Sequence, residues 1–93
     1  MNQVESILTE LQARGLKLTK QRQAIVSELK ASPVPLTAED MFLRIRKKND
    51  NASLATVYRN LKTLVDAGLV VKSGLLEDKA QYRLVNYSHS HDL

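Results

Sequence analysis

The 93-residue sequence contains no cysteine and no tryptophan. Without cysteine there is no disulfide framework, no Cys-rich zinc site and no thiol nucleophile. Aromatic residues are limited to three Tyr and one Phe, so the core must be aliphatic. In a chain this short that core is also modest, and a roomy walled pocket for a small substrate is hard to fit. Prolines number two and glycines three, too few for a low-complexity or collagen-like chain. No apolar run approaches the roughly 20 residues that span a bilayer. The N-terminus lacks the basic, apolar and small-residue succession of a secretory signal. The expectation is one small cytoplasmic domain.

Hydrophobic residues at 43% and charged residues at 26% are ordinary globular composition. The net charge of +4 is unevenly spread. From Lys17 to Lys62 there are ten basic and four acidic residues, while the remainder carries four basic and six acidic ones. Such segregation suits a polyanion, because neutralising phosphates releases condensed counterions. A solvated basic face is the plainer alternative.

Periodicity predicts helices first and a hairpin last. Val4, Ile7, Leu8 and Leu11 form one helical stripe. Arg14 and Gly15 supply a terminal cation and a stop. Thr19 caps a second helix with Ile25, Val26 and Leu29 inward. Pro33 and Pro35 end it and force an extended connection. Thr37 caps a third helix, with Glu39 and Asp40 facing the positive end of its dipole and Met41, Phe42 and Ile45 as buried candidates. Asn49, Asp50 and Asn51 read as a loop. Ser53 caps a fourth helix running to Ala67, and Gly68 stops it.

A short strand over Leu69–Lys72, a polar turn from Gly74 to Lys79 and a returning strand over Gln81–Val85 follow. The fold class is mainly α (α+β): a winged helix-turn-helix of about four helices and a two-stranded β-wing. Residues 1–85 form this domain, and 86–93 form a tail or hinge without an apolar pattern.

The fourth helix is the informative element. Leu54, Val57, Leu61, Leu64 and Val65 make its buried stripe, and Ala55, Thr56, Arg59, Asn60 and Thr63 its exposed face, with Tyr58 and Lys62 at the flanks. Small residues let a helix backbone approach a groove, and longer polar tips reach base edges. Arg takes guanine bidentately, and a Tyr ring packs on a thymine methyl while its hydroxyl meets a phosphate. An ordinary solvent face is the alternative. Lys17, in the loop after the first helix, is placed to enter a minor groove, or is simply an exposed loop cation. Arg22, at the start of the second helix, is placed to hold a phosphate, or forms a surface ion pair. The run Arg44, Arg46, Lys47, Lys48 reads mainly as favourable charge at a helix C-terminus.

Four blocks also carry a resemblance. G-L-K-L-T-K-Q-R (Gly15–Arg22), L-T-A-E-D-M-F (Leu36–Phe42), A-T-V-Y-R-N-L (Ala55–Leu61) and D-A-G-L-V (Asp66–Val70) occur in order. Together they resemble the N-terminal domain of the ferric uptake regulator (Fur) family, over about Leu11 to His91. The resemblance implies a sequence-specific, DNA-binding transcriptional regulator, a metal-responsive bacterial repressor acting in the cytoplasm. It implies Tyr58 and Arg59 on bases, Lys17 in the minor groove and Arg22 on the backbone. The expected DNA-binding set is Lys17, Thr19, Arg22, Ser53, Ala55, Thr56, Tyr58, Arg59, Asn60 and Lys62. The implied partner is an AT-rich palindromic operator in double-stranded DNA, bound by a full-length homodimer. The isolated domain is expected to be a monomer that ends where a dimerisation domain begins.

The resemblance further implies a regulatory metal, zinc, iron or manganese. His89 and His91 supply a His-x-His, and on a strand such a pair faces one way. The other two positions where ligands are implied hold Pro35 and Arg83, which have no donor for a cation. An incomplete site on His89 and His91, binding no metal tightly in this chain alone, is therefore expected beside the alternative of two solvent-exposed histidines. No nucleophile motif, phosphate-binding glycine loop or apolar acid pair supports an enzyme. A winged-helix protein–protein module without metal sensing is the surviving alternative.

Overall fold

A computed structural model describes residues 9–17, 19–48 and 51–85. The elements are α1, described over residues 9–13, then α2 (Lys20–Ala31), β1 (Leu36–Thr37), α3 (Ala38–Arg46), α4 (Leu54–Asp66), β2 (Val70–Leu76) and β3 (Lys79–Leu84). Val4, Ile7 and Leu8, and the 86–93 tail, lie outside the described residues.

The predicted caps form. Thr19 Oγ1 accepts from the Arg22 amide at 3.1 Å. Ser53 Oγ accepts from the Thr56 amide at 3.2 Å. Thr37 and Asp40 make a reciprocal capping box, with the Asp40 amide 3.1 Å from Thr37 Oγ1 and the Thr37 amide 3.3 Å from Asp40 Oδ2. Each arrangement satisfies N–H groups that a helix start leaves without a partner.

α4 stops at Gly68, whose φ of +81° is a conformation that side-chain-bearing residues seldom adopt. The Gly68 amide donates to Val65 O at 2.9 Å and the Leu69 amide to Leu64 O at 3.0 Å. This pair of bonds is the Schellman ending. It drops Leu69, 3% exposed, into the core beside Leu64. The Arg14 guanidinium donates to the Ala67 carbonyl, so the end of α1 places a cation at the C-terminus of α4.

The core is aliphatic, as the composition requires. Leu11, Ile25, Val26, Leu29, Met41, Ile45, Val57, Leu61 and Leu64 join the three helices α2–α4 to α1, and Leu36, Val70 and Tyr82 carry the sheet onto them. Phe42, Leu54 and Val65 are only partly buried.

The expected two-stranded wing is the antiparallel β2–β3 hairpin, and the sheet gains a third, edge strand beside it. β1 pairs antiparallel with β3, so the order is β1-β3-β2. The extended stretch forced by the prolines therefore docks as an edge strand, with Leu36 opposite Tyr82. The expected polar turn from Gly74 to Lys79 is also shorter. Pairing continues through Leu76 opposite Lys79, and only Glu77 and Asp78 turn, with φ of 53° and 69°. Two positive φ values are what a tight hairpin matched to strand twist demands. The register shifts between Lys72 and Gly74.

A cleft of about 350 Å³ lies between α2 and the start of α4, lined by Lys20, Ala24, Glu28, Lys48 and Thr56 among others. It exceeds what the chain length suggested, but it is an open groove, and Glu28 is the one carboxylate among the described residues that line it. That carboxylate is paired with Lys48 Nζ at 3.2 Å. No helix among the described residues is long and apolar enough to cross a membrane.

Candidate nucleic-acid interface

Two stripes run along α4. Val57, Asn60, Leu61 and Leu64 are buried. Ala55, Tyr58, Arg59 and Lys62 are exposed at i, i+3, i+4 and i+7, one continuous outer face. Arg59 makes no side-chain hydrogen bond to the described residues. Lys62 pairs with Asp66 one turn on at 3.3 Å, both well exposed, a contact of little energetic weight. Ser53 and Thr56 are engaged with each other, Ser53 Oγ donating to Thr56 Oγ1 at 2.8 Å in the cap.

Asn60 corrects the predicted exposed face. It is 8% exposed, its Nδ2 donates to Thr56 O at 3.0 Å, and its Oδ1 accepts from Arg22 Nε at 3.0 Å. The signal was in the spacing: position 60 falls in phase with Val57, Leu61 and Leu64. A polar residue there can be buried only if its amide is fully paired.

Arg22 is likewise more occupied than a surface cation. Besides Asn60, its Nη1 donates to the Lys17 carbonyl at 2.8 Å. One guanidinium thus ties the loop before α2, α2 itself and α4 together, and leaves Nη2 without a bonded acceptor among the described residues. Among the described residues it pairs with no carboxylate. The Lys17 side chain is exposed, and Thr19 is spent in the α2 cap.

Tyr58 is 43% exposed. Its hydroxyl donates to Glu39 Oε2 at 2.8 Å, across 19 residues of sequence. In the free chain the single hydroxyl proton is thus engaged by a carboxylate. The other carboxylate oxygen, Glu39 Oε1, is buried and has no hydrogen-bond partner among the described residues. This bond raises the Tyr58 phenol above its ordinary value, with desolvation and the charges of Glu39 and Tyr82 adding to it. Burial raises Tyr82 as well, and the Glu39 charge adds to that. Sequence reasoning assigned Glu39 only to the helix dipole, since nothing in the spacing links positions 39 and 58.

His89 and His91 lie outside the described residues. Among the described residues no group of three or more His, Cys, Asp or Glu side chains converges to hold a metal. Pro35 and Arg83 do meet, in a shallow cavity of about 200 Å³ that Lys30 also lines. Two cations and a proline do not fit a metal ion.

Comparison with known proteins bears on this geometry. Residues 13–93 match the model of the ferric uptake regulator family. The chain is 36% identical over 91 residues to the ferric uptake regulation protein of Synechococcus elongatus, covering 95% of this chain and 62% of that protein. It is 31% identical over 90 residues to the peroxide-responsive repressor PerR of Staphylococcus saprophyticus, covering 97% and 61%. The structure of PerR from Streptococcus pyogenes superposes with a TM-score of 0.80 at 32% identity, over 90% of this chain and 58% of that one. The Helicobacter pylori ferric uptake regulator Fur, described with three functional metal-binding sites, gives 0.75 at 32% identity, over 87% and 57%. The chain thus spans about 60% of these relatives and corresponds to their N-terminal DNA-binding region. It belongs to the ferric uptake regulator family, whose members are transcriptional regulators and not enzymes.

Proposed function

We propose that this chain is the sequence-reading DNA-binding domain of a metal-responsive transcriptional repressor. The observation that carries the reading is the outer face of α4. Ala55 is small enough to let the backbone approach, and Tyr58, Arg59 and Lys62 project from the same stripe. Arg59, free of protein partners among the described residues, reads base edges. Lys17 and Lys62 contact backbone or minor groove. Thr19, Ser53 and Thr56 present helix starts whose amides suit phosphate. Asn60 acts through Arg22 and does not touch DNA.

The wing is assigned no DNA role. Leu75 and Leu76, 71% and 50% exposed, stand there beside Glu77 and Asp78. An apolar and acidic tip is unsuited to phosphate, and it favours the alternative of a protein-contact module.

Residues 1–85 are the reading unit and 86–93 a hinge toward a dimerisation domain. The operator is an AT-rich palindrome bound by a homodimer of the full-length protein, in the bacterial cytoplasm. Zinc, iron or manganese is the signal of that longer protein.

The test is a titration of labelled duplex at several salt concentrations. Contact with about four to six phosphates predicts that a threefold rise in salt weakens binding by roughly one to three orders of magnitude. Affinity that stays flat with salt excludes DNA as the partner.

A further inference from the structure

We propose that Glu39 is a positioning residue for base reading: its carboxylate holds the Tyr58 ring on the outer face of α4 and commits the hydroxyl proton, so that Tyr58 meets DNA through its ring. The inference rests on the DNA-reading function proposed above and deepens it.

Three observations carry it. First, Glu39 is anchored. It stands in the first turn of α3, whose start is locked by the Thr37–Asp40 capping box. A carboxylate there is favoured by the free amides of the helix start. The residue is partly buried, with Oε1 turned away from solvent. Second, the bond to Tyr58 has ordinary hydroxyl–carboxylate length, 2.8 Å from Oη to Oε2. A hydroxyl bonded to an ionised acceptor makes one of the stronger side-chain hydrogen bonds. Third, Tyr58 is the one large aromatic side chain exposed on the α4 stripe, and it lies next to Arg59. An untethered tyrosine on a helix surface samples several rotamers, and ordering it costs binding free energy. The Glu39 bond makes that selection before DNA arrives.

The carboxylate also decides what the ring can meet. A tyrosine hydroxyl has one proton. With that proton donated to Glu39, Tyr58 has none to give a phosphate, and the Glu39 charge beside it repels one. The ring face and edge remain available, and their natural match in the major groove is the thymine methyl. Glu39 thereby turns Tyr58 from a backbone contact into a base contact, and disfavours registers that set a phosphate against it.

The experiment uses the 93-residue chain and two duplexes: one enriched by the wild-type chain from a randomised pool, and one of shuffled sequence and equal composition. Wild type should prefer the enriched duplex. It should lose affinity by about fivefold or more when deoxyuridine replaces the thymidine under Tyr58, since that change removes the methyl alone. Glu39→Ala and Tyr58→Phe should each abolish this methyl dependence, and the double variant should be no worse than either. Glu39→Gln, whose amide oxygen still accepts, should retain it. Without DNA, the Tyr58 phenol should titrate lower in Glu39→Ala than in wild type, a change that loss of packing alone does not specify.

Two results overturn the inference: Glu39→Ala with methyl dependence intact, or Glu39→Ala with the same added loss in a Tyr58→Phe background as in wild type. A wild-type chain that binds no duplex in a salt-dependent way defeats the DNA-reading function itself, and the role of Glu39 with it. That failure is seen in wild type alone, whereas failure of the positioning role appears only in the variants of a discriminating wild type.

Discussion

Arg22 reaches across from α2 to α4 and donates from Nε to Asn60 Oδ1 at 3.0 Å. Because Nη1 also holds the Lys17 carbonyl at 2.8 Å, this contact fixes α4 and the Lys17 loop relative to one another. Asn60→Ala leaves a part-buried guanidinium N–H without its acceptor, at a cost of about 1–3 kcal/mol. For a domain of this size, about 1 kcal/mol lowers Tm by roughly 4–8 °C. Arg22→Ala should cost at least a similar amount, and the double variant less than the sum, because the two changes share the bond between them. Thermal melts of the three variants check this. Fully additive losses would show that the contact carries no coupling.

The same bond separates Arg22 from Arg59 in function. Arg59→Ala should cost about 1–3 kcal/mol on the preferred duplex and flatten discrimination against random DNA. Its Tm should stay near wild type, since the side chain is exposed and makes no hydrogen bond to the described residues. Arg22→Ala should weaken both duplexes alike and lower Tm as well. Paired titrations and melts distinguish the two. Equal weakening of both duplexes by Arg59→Ala would make that side chain a phosphate clamp.

How much of this could be read from sequence depends on the range of the interaction. Caps at Thr19, Thr37 and Ser53 and the stop at Gly68 were legible because each is decided within four residues. The core stripe of α4 followed from its period. The wing tip was misjudged because Gly74 and the charged residues after it suggest a turn. Cross-strand pairing, which sequence spacing does not display, carries β2 on to Leu76. β1 was invisible for the same reason: two residues acquire strand character only by meeting Tyr82 and Gln81. The polar type of Asn60 points outward, whereas its phase with Val57, Leu61 and Leu64 points inward. The Glu39–Tyr58 bond had no local signal at all.

Gly68 gives a stability prediction independent of DNA. At φ +81° a β-carbon is disfavoured by about 1–2 kcal/mol, and one built there would lie 3.4 Å from Arg14 Nη1. Arg14 is the residue that donates to the Ala67 carbonyl. Gly68→Ala should therefore lower Tm through the backbone term, since 3.4 Å from a guanidinium nitrogen is ordinary contact. Gly68→Ala in an Arg14→Ala background isolates the backbone term. An unchanged Tm in Gly68→Ala would contradict the Schellman ending.

Tyr82 provides the pH prediction. Burial, and then the charge of Glu39, raise its phenol above the ordinary value of about 10. A raised acid holds its proton more tightly in the folded chain than in the unfolded one. Its contribution to stability is thus fully present below the unfolded value and is lost as pH rises through the folded one. The wild-type chain should lose stability as pH climbs past about 10, part of that loss belonging to Tyr82 and part to Tyr58, which is raised in the same direction. The phenol of Tyr82 is 6% exposed as a residue, and its hydroxyl makes no hydrogen bond among the described residues. Tyr82→Phe should therefore fold normally near neutral pH and show a shallower alkaline decline. Lysines also titrate near that pH, so the informative quantity is the difference between wild type and variant. Urea midpoints measured from about pH 8 to about pH 11 supply it. Parallel curves for the two proteins would mean that Tyr82 ionises in the folded chain as freely as in the unfolded one.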